Sequence, residues 1–454
     1  MRWIIYSART LVGSLFIVSG LIKANDALGF MYKLEEYFEP GALNWPGMTE
    51  YALPVAVFVV IAEILLGVAI LVGALPKLTS ALTAVMMAVF TWLTWYTATC
   101  DPLGTKMITD ATGQLVEIAN QCVLTCGCFG DAIPLTAYES FLKDVVLSIL
   151  SIPILFGAFT GRIRLNEGKE SLYILTASLV VIFLFSYLML NWLFPVLFAA
   201  LSFLAAEGIK RRTTGAAREW WMALGVTVVC GVFQWWTLAY LPAKDYRAYA
   251  VGKSIREGMK SAEELGLEAP KYATEYTFRN VQTGVDTAVL STDWLEIYNQ
   301  DWFKNTYEKV SFDGPEVKLS EGYEPPIMDF QIIDAEGSEW TEDFLSQPGY
   351  VLMHVSRDLA LTEAAAQPEF NALAEAAAKA GWTMIGLTNA DADENAAYRS
   401  AHGAPYDFYT CDQTELKIVV RSNPGLLLLK EGEVLGKWPW RSLPDWEEVA
   451  ALAR

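Results

Sequence analysis

Residues 51–75 read "YALPVAVFVVIAEILLGVAILVGAL", an uninterrupted apolar run in which Glu63 is the only charged residue. A helix needs about 20 such residues to cross the roughly 30 Å of hydrocarbon in a bilayer. This stretch therefore predicts a transmembrane helix. The composition of the whole 454-residue chain agrees, since 53% of its residues are hydrophobic and 16 are tryptophan.

Six further apolar runs have a length and composition typical of membrane spans. They cover residues 4–21, 79–98, 141–159, 172–190, 192–206 and 220–241. The stretch 172–206 is too long for one helix, and we divide it where Asn191 can turn the chain and Pro195 can open a new helix. The sequence thus predicts a polytopic helical membrane bundle of about seven spans.

The positive charges predict the orientation of these spans. Basic residues cluster in two short loops, at Arg162, Arg164 and Lys169, and at Lys210, Arg211, Arg212 and Arg218. Both loops are cytoplasmic under the positive-inside rule only if the chain between them crosses twice. We therefore expect a bacterial inner (plasma) membrane protein with its N-terminus in the cytoplasm. The loop 99–137 and all residues after 241 then face the periplasm.

Composition also limits the partners and cofactors. A formal net charge of −19 argues against nucleic acid or an anionic lipid face as a partner. The apolar composition makes the lipid bilayer the expected environment. The two histidines, His354 and His402, both fall in the second half of the chain. We therefore expect no histidine-ligated haem and no zinc in the membrane half.

Thiols are concentrated in "NQCVLTCGCFGDAIPLT", residues 120–136, which we call the cysteine segment. It contains Cys122, Cys126 and Cys128, and Cys100 lies a loop's length upstream. In an oxidising compartment these cysteines are expected to form disulfides, which makes a metal site less attractive. Four cysteines allow three pairings, and the sequence does not choose among them.

Two interpretations of the four cysteines remain open. In the first, two disulfides only pin a periplasmic loop over the bundle. In the second, Cys126 and Cys128 are a catalytic thiol pair that exchanges with the other two. Exchange requires a thiolate, and Lys143 beside Asp144 at the start of the next span could lower a thiol pKa.

Two charged residues fall within the first two predicted spans. Arg9 and Glu63 are costly in hydrocarbon, so each needs a partner. We expect them to pair with each other. Such a pair would either fix the helix register or form a polar pocket for a quinone headgroup or for proton transfer.

These residues also carry a family resemblance. The segment "ARTLVGSLFIVSGLIKANDALGF" resembles the first helix of the DoxX family, and "AEILLGVAILVG" resembles the second. The matching positions are Arg9, Gly13, Ser19, Gly20, Lys23, Asp26, Glu63 and Gly67. "CGCFGDAIPLT" with "FLKD" resembles the MauE branch, whose members are implicated in maturing a disulfide-rich periplasmic dehydrogenase subunit. The resemblance implies a four-helix membrane domain over about residues 1–160.

The chain after residue 325 alternates short apolar strands with helical segments, which predicts an α/β domain. The order resembles the thioredoxin fold, with "SNPGLLLLKEGEVLGKW" as the strongest match and Pro424 at the position of its cis-proline. The family's CxxC is missing, because Leu359 and Thr362 stand where its cysteines would be. We therefore expect a redox-silent binding domain.

The predicted organisation has four parts. They are a DoxX/MauE-like membrane domain at 1–160, three further spans at 161–242, an external extension at 243–324 with a hairpin near Thr283 and a short aromatic helix, and the thioredoxin-like domain at 325–454. The predicted function is thiol–disulfide redox or maturation of envelope proteins, with clients bound through the thioredoxin-like domain. A quinone is the electron acceptor by analogy only. The alternative is a non-enzymatic membrane scaffold or assembly factor whose disulfides are structural.

Overall fold

The structure, a computed structural model, describes residues 2–453 except 102–103, 110–112, 124–126, 128, 216, 313, 315 and 321. The first half of the chain is helical. Its helices are α1 Arg2–Asn25, α2 Ala27–Phe38, α3 Ala52–Val72, α4 Pro76–Thr99, α5 Ala137–Phe159, α6 Gly168–Phe185, α7 Phe194–Arg212 and α8 Arg218–Ala239.

Six helical segments of the described chain are long and apolar enough to cross a membrane. These segments are Arg2–Asn25, Pro46–Val72, Pro76–Thr99, Ala137–Phe159, Gly168–Leu190 and Arg218–Ala239. The remaining predicted span is also helical, as α7, but its last turn holds Lys210, Arg211 and Arg212. The predicted break in the run 172–206 is present, with Asn191 in a left-handed conformation (φ 45°). The predicted polytopic helical bundle is confirmed.

Helices α1 and α3 pack closely because glycines lie at their contact. A Cβ added to Gly67 would come within 2.8 Å of the Gly13 carbonyl oxygen, and one added to Gly20 within 2.6 Å of Ile64. Small residues allow such close backbone approach between membrane helices, where van der Waals packing replaces the hydrophobic effect. The α1–α3 pair therefore forms the centre of the bundle, with Ile17, Leu21 and other apolar side chains fully buried between the helices.

The cysteine segment is preceded by a small hairpin that the sequence analysis treated only as loop. Strands β1 Thr105–Thr109 and β2 Leu115–Ala119 pair antiparallel, with Thr105 opposite Ala119. The hairpin contacts the chain that follows α2, because Gln121 donates its backbone N–H to the Gly41 carbonyl at 2.7 Å. Lys106 also donates to the carbonyl of Ala42.

The second half of the chain carries two sheets. Its helices are α9 Ile255–Met259, α10 Ser291–Tyr298, α11 Asp301–Thr306, α12 Thr341–Ser346, α13 Gln367–Lys379, α14 Ala392–His402, α15 Gln413–Val419 and α16 Trp446–Ala451. Its strands are β3 Lys271–Asn280, β4 Asp286–Leu290, β5 Tyr307–Ser311, β6 Glu316–Ser320, β7 Tyr350–Ser356, β8 Thr383–Thr388, β9 Phe408–Thr410, β10 Gly425–Lys430 and β11 Glu433–Pro439.

The larger sheet has the strand order β11-β10-β7-β8-β9. Strands β7, β8 and β9 are parallel, and β10 and β11 are antiparallel to their neighbours. Helix α13 connects β7 to β8 and α14 connects β8 to β9, as crossovers between parallel strands require. The Asn423–Pro424 peptide bond, just before β10, is cis. This arrangement is the thioredoxin fold, so the predicted fold class is confirmed.

The smaller sheet is built on the long strand β3. Strands β4 and β5 pair with its C-terminal half and β6 with its N-terminal half. The predicted hairpin near Thr283 is the β3–β4 turn, and Gly284 adopts φ 68° there. The predicted aromatic helix is two short helices, α10 and α11, which cover Phe278.

The linker after α8 belongs structurally with the thioredoxin-like sheet. Tyr249 and Ile255 are fully buried in its core. Gly252 donates to the Val434 carbonyl at 2.8 Å, and Val434 donates back to the Lys253 carbonyl at 2.9 Å. The chain leaving the membrane bundle therefore lies directly along β11.

Candidate functional site

A disulfide joins the end of α4 to the start of the cysteine segment. Cys100 follows the last residue of α4, and Cys122 lies just after β2; their sulfurs are bonded and their Cα atoms are 5.7 Å apart. This bond closes the hairpin loop. The predicted catalytic pair, Cys126 and Cys128, lies outside the described residues.

The residues beside the predicted pair are described. Gly127, between the two cysteines, lies against α2, since a Cβ there would be 3.2 Å from Cγ of Lys33. Phe129 is buried, and the ammonium group of Lys143 lies 5.3 Å from the centre of its ring. Lys143 also forms an ion pair with the buried carboxylate of Asp144. Both predicted pKa modulators therefore lie next to the cysteine segment, with the positive charge of Lys143 already balanced by Asp144.

Gly127 and Phe129 line a cavity of about 580 Å³, which we call the junction cavity. Four parts of the chain form its wall: the α1–α2 corner, the cysteine segment, the linker after α8, and α15 of the thioredoxin-like domain. Aromatic side chains contribute from Phe30, Tyr32 and Tyr246. Charged side chains of both signs line the rest of the wall, namely Lys23, Asp26, Lys33, Glu35, Glu36, Glu39, Asp131, Lys244, Asp245, Arg247, Lys417 and Arg421.

The strongest polar contact across the cavity joins Asp26 to Arg421. Nε of Arg421 lies 2.9 Å from Oδ1 of Asp26, and Nη2 lies 2.9 Å from Oδ2, which is the two-pronged geometry that a guanidinium favours. Burial by itself would raise the pKa of Asp26, but the Arg421 charge outweighs it and holds that pKa below its usual range. Arg421 also approaches Asp131 of the cysteine segment, at 4.0 Å.

A second charge cluster lies behind this contact. Asp245 accepts two hydrogen bonds from the Arg247 guanidinium, at 2.7 and 2.8 Å, and one from Lys437 at 3.0 Å. Although burial acts in the opposite direction, these two cations hold the pKa of Asp245 well below its usual range. Burial, reinforced by Arg247, lowers the pKa of Lys437 to about 8.

The position of the missing CxxC contains a hydroxyl and amide network. Ser356 Oγ donates to Asn423 Oδ1 at 3.1 Å and lies 2.8 Å from the Thr362 hydroxyl, and Asn423 Nδ2 donates to the Asp358 carbonyl at 2.8 Å. Leu359 is half-buried in the same loop. The loop is thus bonded to the segment before Pro424, and it offers no nucleophile for disulfide exchange.

The other thiols and the buried histidine are shielded. Cys230 and Cys411 are free and buried, and burial raises the pKa of Cys411 to about 12. His354 is fully buried against Phe370, with Nδ1 2.8 Å from the Tyr406 hydroxyl, and burial lowers its pKa to about 3. A neutral, enclosed imidazole agrees with a structural role.

The predicted pairing of Arg9 with Glu63 is wrong. Glu63 pairs with Lys23, whose Nζ lies 2.7 Å from Oε2. Arg9 instead donates to the Ile70 and Leu71 carbonyls, at 3.0 and 3.2 Å, and to Asn166 Oδ1 at 2.9 Å. It therefore binds the open carbonyls at the end of α3, where a cation also complements the helix dipole.

The cavity residues of the second half were not predicted as site residues from the sequence. Lys417 and Arg421 both precede the predicted cis-proline, Pro424. Asp26 was named only as a position of the family resemblance. The sequence signal that could have identified Arg421 as a site residue is its position three residues before Pro424. Among the described residues, no group of three or more His, Cys, Asp or Glu side chains is arranged to hold a metal ion.

Fold and site together define a class: a polytopic membrane protein whose bundle bears a thioredoxin-like domain beside a cysteine segment. Residues 1–100 match the family model described as Methylamine utilisation protein MauE. The MauE resemblance is thereby confirmed over these residues, while the wider resemblance to DoxX stays a prediction. A comparison with curated proteins found no match.

Two solved structures are similar to part of the chain. The crystal structure of Peroxidoxin BcpB from Mycobacterium tuberculosis shares 17% identity, with 28% of this chain and 91% of that chain covered and a TM-score of 0.23. The solution structure of a candidate protein disulfide isomerase from Bacteroides thetaiotaomicron shares 16% identity, with 27% and 80% covered and a TM-score of 0.22.

Proposed function

We propose that the protein is a membrane-bound thiol–disulfide oxidoreductase acting on envelope proteins at the periplasmic face of a bacterial inner membrane. Cys126 and Cys128 form its redox pair. The observation that carries this proposal is that Gly127 and Phe129, the immediate neighbours of the pair, line a cavity large enough for a client segment. The MauE match over residues 1–100 agrees with such a role.

The chemistry follows from this placement. A client dithiol attacks the Cys126–Cys128 disulfide through a mixed disulfide; the client becomes oxidised and both cysteines leave as thiols. Two electrons and two protons then pass to an acceptor, for which a membrane quinone is the class suggested by analogy. The cavity wall offers the Phe30 and Phe129 rings to an acceptor of this kind.

The orientation is part of the proposal. The basic residues that the positive-inside rule assigns to the cytoplasm meet at one end of the bundle, where Lys210 donates to the Asn166 carbonyl at 3.0 Å. The cysteine segment and the thioredoxin-like domain meet at the junction cavity, which opens at the other end of α1. The redox-silent domain serves to bind client proteins.

A structural scaffold is the second candidate, favoured by the Cys100–Cys122 disulfide that closes the hairpin. Single replacement of Cys126 and of Cys128 by Ser separates the two, when protein abundance and the thiol state of envelope proteins are both measured. Normal protein abundance with altered client disulfides supports the thiol–disulfide oxidoreductase. Reduced abundance with unchanged client disulfides supports the scaffold. Cys411→Ala, which removes a buried thiol that does not line the cavity, is the matched control.

A further inference from the structure

The edge of the thioredoxin-like domain that would bear an active site faces the protein's own membrane bundle. Arg357 follows β7, Lys417 lies on α15, and Arg421 precedes the cis bond at Pro424; we call these residues the cis-proline edge. All three cations lie over the ring of Tyr32 on α2. Their distances to its centre are 5.6 Å for Arg357, 4.9 Å for Lys417 and 5.3 Å for Arg421, within the range of cation–π attraction.

The contact at this edge is specific as well as close. The side chain of Arg421 is only 7% exposed, and its hydrogen bonds to Asp26 join groups 395 residues apart in sequence. A buried guanidinium without its carboxylate would be strongly unfavourable, so the domain has one well-satisfied position on the bundle. Arg421 also donates to the Lys417 carbonyl, which orients it from within its own domain.

The chain that connects the domain to the bundle reinforces the same position. The Asn25 side chain makes two hydrogen bonds to the Lys244 backbone, at 2.7 and 3.1 Å. Arg247, in the linker, donates to the Ile418 carbonyl of α15 at 2.9 Å. The α1–α2 corner, the linker and α15 are therefore joined by hydrogen bonds on both sides of the cavity.

We propose that the cis-proline edge is an intramolecular docking surface whose partner is α2, and that Arg421 is the residue that also holds the cysteine segment, through Asp131. In this arrangement the edge is not available to client proteins. Clients reach the junction cavity through its opening, and bind the domain only on its other faces. The inference does not depend on whether Cys126 and Cys128 are redox-active.

Hydrogen exchange on the full chain in lipid nanodiscs tests this docking. Arg421→Gln removes the charge while keeping a polar side chain of similar length. Asp26→Asn keeps the oxygen that accepts from the Gly29 N–H at the start of α2. We expect each variant to speed exchange in α2 and in residues 129–135 by about tenfold or more, because each leaves a buried charge unpaired. The double variant should exchange no faster than either single one, because it leaves neither charge of the pair unpaired.

Arg256→Gln is the control, since it breaks an exposed ion pair with Glu342 inside the same domain, and we expect no change in α2. Unchanged exchange in α2 in both test variants would overturn the proposal. Equal acceleration in β7, β8 and β10 would also overturn it, because Arg421 would then support the domain fold instead of its docking. Acceleration confined to α2, α15 and residues 129–135 supports it.

Discussion

The ammonium group of Lys23 and the carboxylate of Glu63 face each other at 2.7 Å inside the bundle, with side chains 3% and 2% exposed. Ser19 accepts a further hydrogen bond from Lys23 at 3.0 Å, and the Phe90 ring centre lies 5.0 Å from its nitrogen. The ammonium group thus has a carboxylate, a hydroxyl and an aromatic ring as neighbours. The pair thus lowers the cost of holding each charge in hydrocarbon.

Removing one partner of this pair should lower the free energy of unfolding strongly, whereas removing both partners should lower it only mildly. We expect Lys23→Met to lower the free energy of unfolding by about 3–5 kcal/mol, because it leaves Glu63 buried and unpaired. Lys23→Met with Glu63→Leu should recover most of that loss. Denaturant-induced unfolding of the detergent-solubilised chain measures the free energy of unfolding of both variants.

The half-exposed pair Lys33–Glu36 provides the control for that experiment. Lys33→Met should change the free energy of unfolding by less than about 1 kcal/mol, as exposed pairs do. If Lys23→Met proves equally mild, the Lys23–Glu63 pair does not stabilise the bundle.

The need of Arg9 and Glu63 for a partner could be predicted from the sequence, but the partners themselves were predicted wrongly. The cost of a charge in hydrocarbon depends on the residue type and on its position within the span, and both can be read from sequence. The partner depends on how each helix is rotated, and on acceptors that carry no sequence signal, such as the carbonyls of Ile70 and Leu71 that bind Arg9. An arginine can use backbone acceptors, so a carboxylate in the next helix is not sufficient grounds to pair them.

At the scale of elements, the thioredoxin-like strands and helices were predicted because their apolar periods are long and clearly separated. The β1–β2 hairpin was missed for the opposite reason. Its strands are five residues each, and only alternate side chains of each are partly buried. Helix α2 was missed too, although Asp26 caps it by accepting from the Gly29 N–H. Short elements that pack on other elements carry little periodicity of their own.

The Cys100–Cys122 bond ties the hairpin to the end of α4, and its loss should loosen that region. The bond closes a loop with a sequence separation of 22, for which chain entropy gives about 3 kcal/mol. We expect Cys100→Ser to lower the free energy of unfolding by up to that amount. Cys122→Ser and the double variant should match it, because each removes the same bond. Denaturant unfolding under non-reducing conditions measures all three. A double variant clearly worse than both single variants would contradict the pairing.

For the whole molecule, sequence could predict both folds but not how they meet. Each fold follows from local pattern, whereas the Asp26–Arg421 contact joins residues 395 apart in sequence. Such a contact depends on the surfaces that folding creates. The linker after α8 was predicted as an extension, yet Tyr249 and Ile255 are buried in the thioredoxin-like core. Their aromatic and aliphatic character was visible in the sequence, but their partners were not.

The linker cluster predicts a pH dependence of stability. Burial lowers the pKa of Lys437 from its ordinary 10.5 to about 8 in the folded chain. Between these values the unfolded chain holds a proton that the folded chain has released, so the free energy of unfolding rises with pH across this window. Lys437→Met should remove that rise. Unfolding of wild type and variant at several pH values from about 8 to 10 measures the difference.

Lys430→Met removes the same charge from an exposed site and serves as the control for that measurement. It should leave the pH dependence of the wild type in place. If the free energy of unfolding depends equally on pH in the wild type and in Lys437→Met, the Lys437 proton does not contribute to that dependence.

The orientation of the molecule is tested by labelling one cysteine on each side. In a Cys126→Ser/Cys128→Ser background, the remaining native cysteines are buried or disulfide-bonded. Lys379→Cys places an exposed thiol at the end of α13, and Thr214→Cys places one in the basic loop before α8. A membrane-impermeant maleimide applied to intact spheroplasts should label only the thiol at 379. The thiol at 214 should react only after permeabilisation, because the positive-inside rule puts its loop in the cytoplasm. The reverse pattern would place the junction cavity in the cytoplasm, where thiols are kept reduced and the proposed disulfide chemistry would lose its basis.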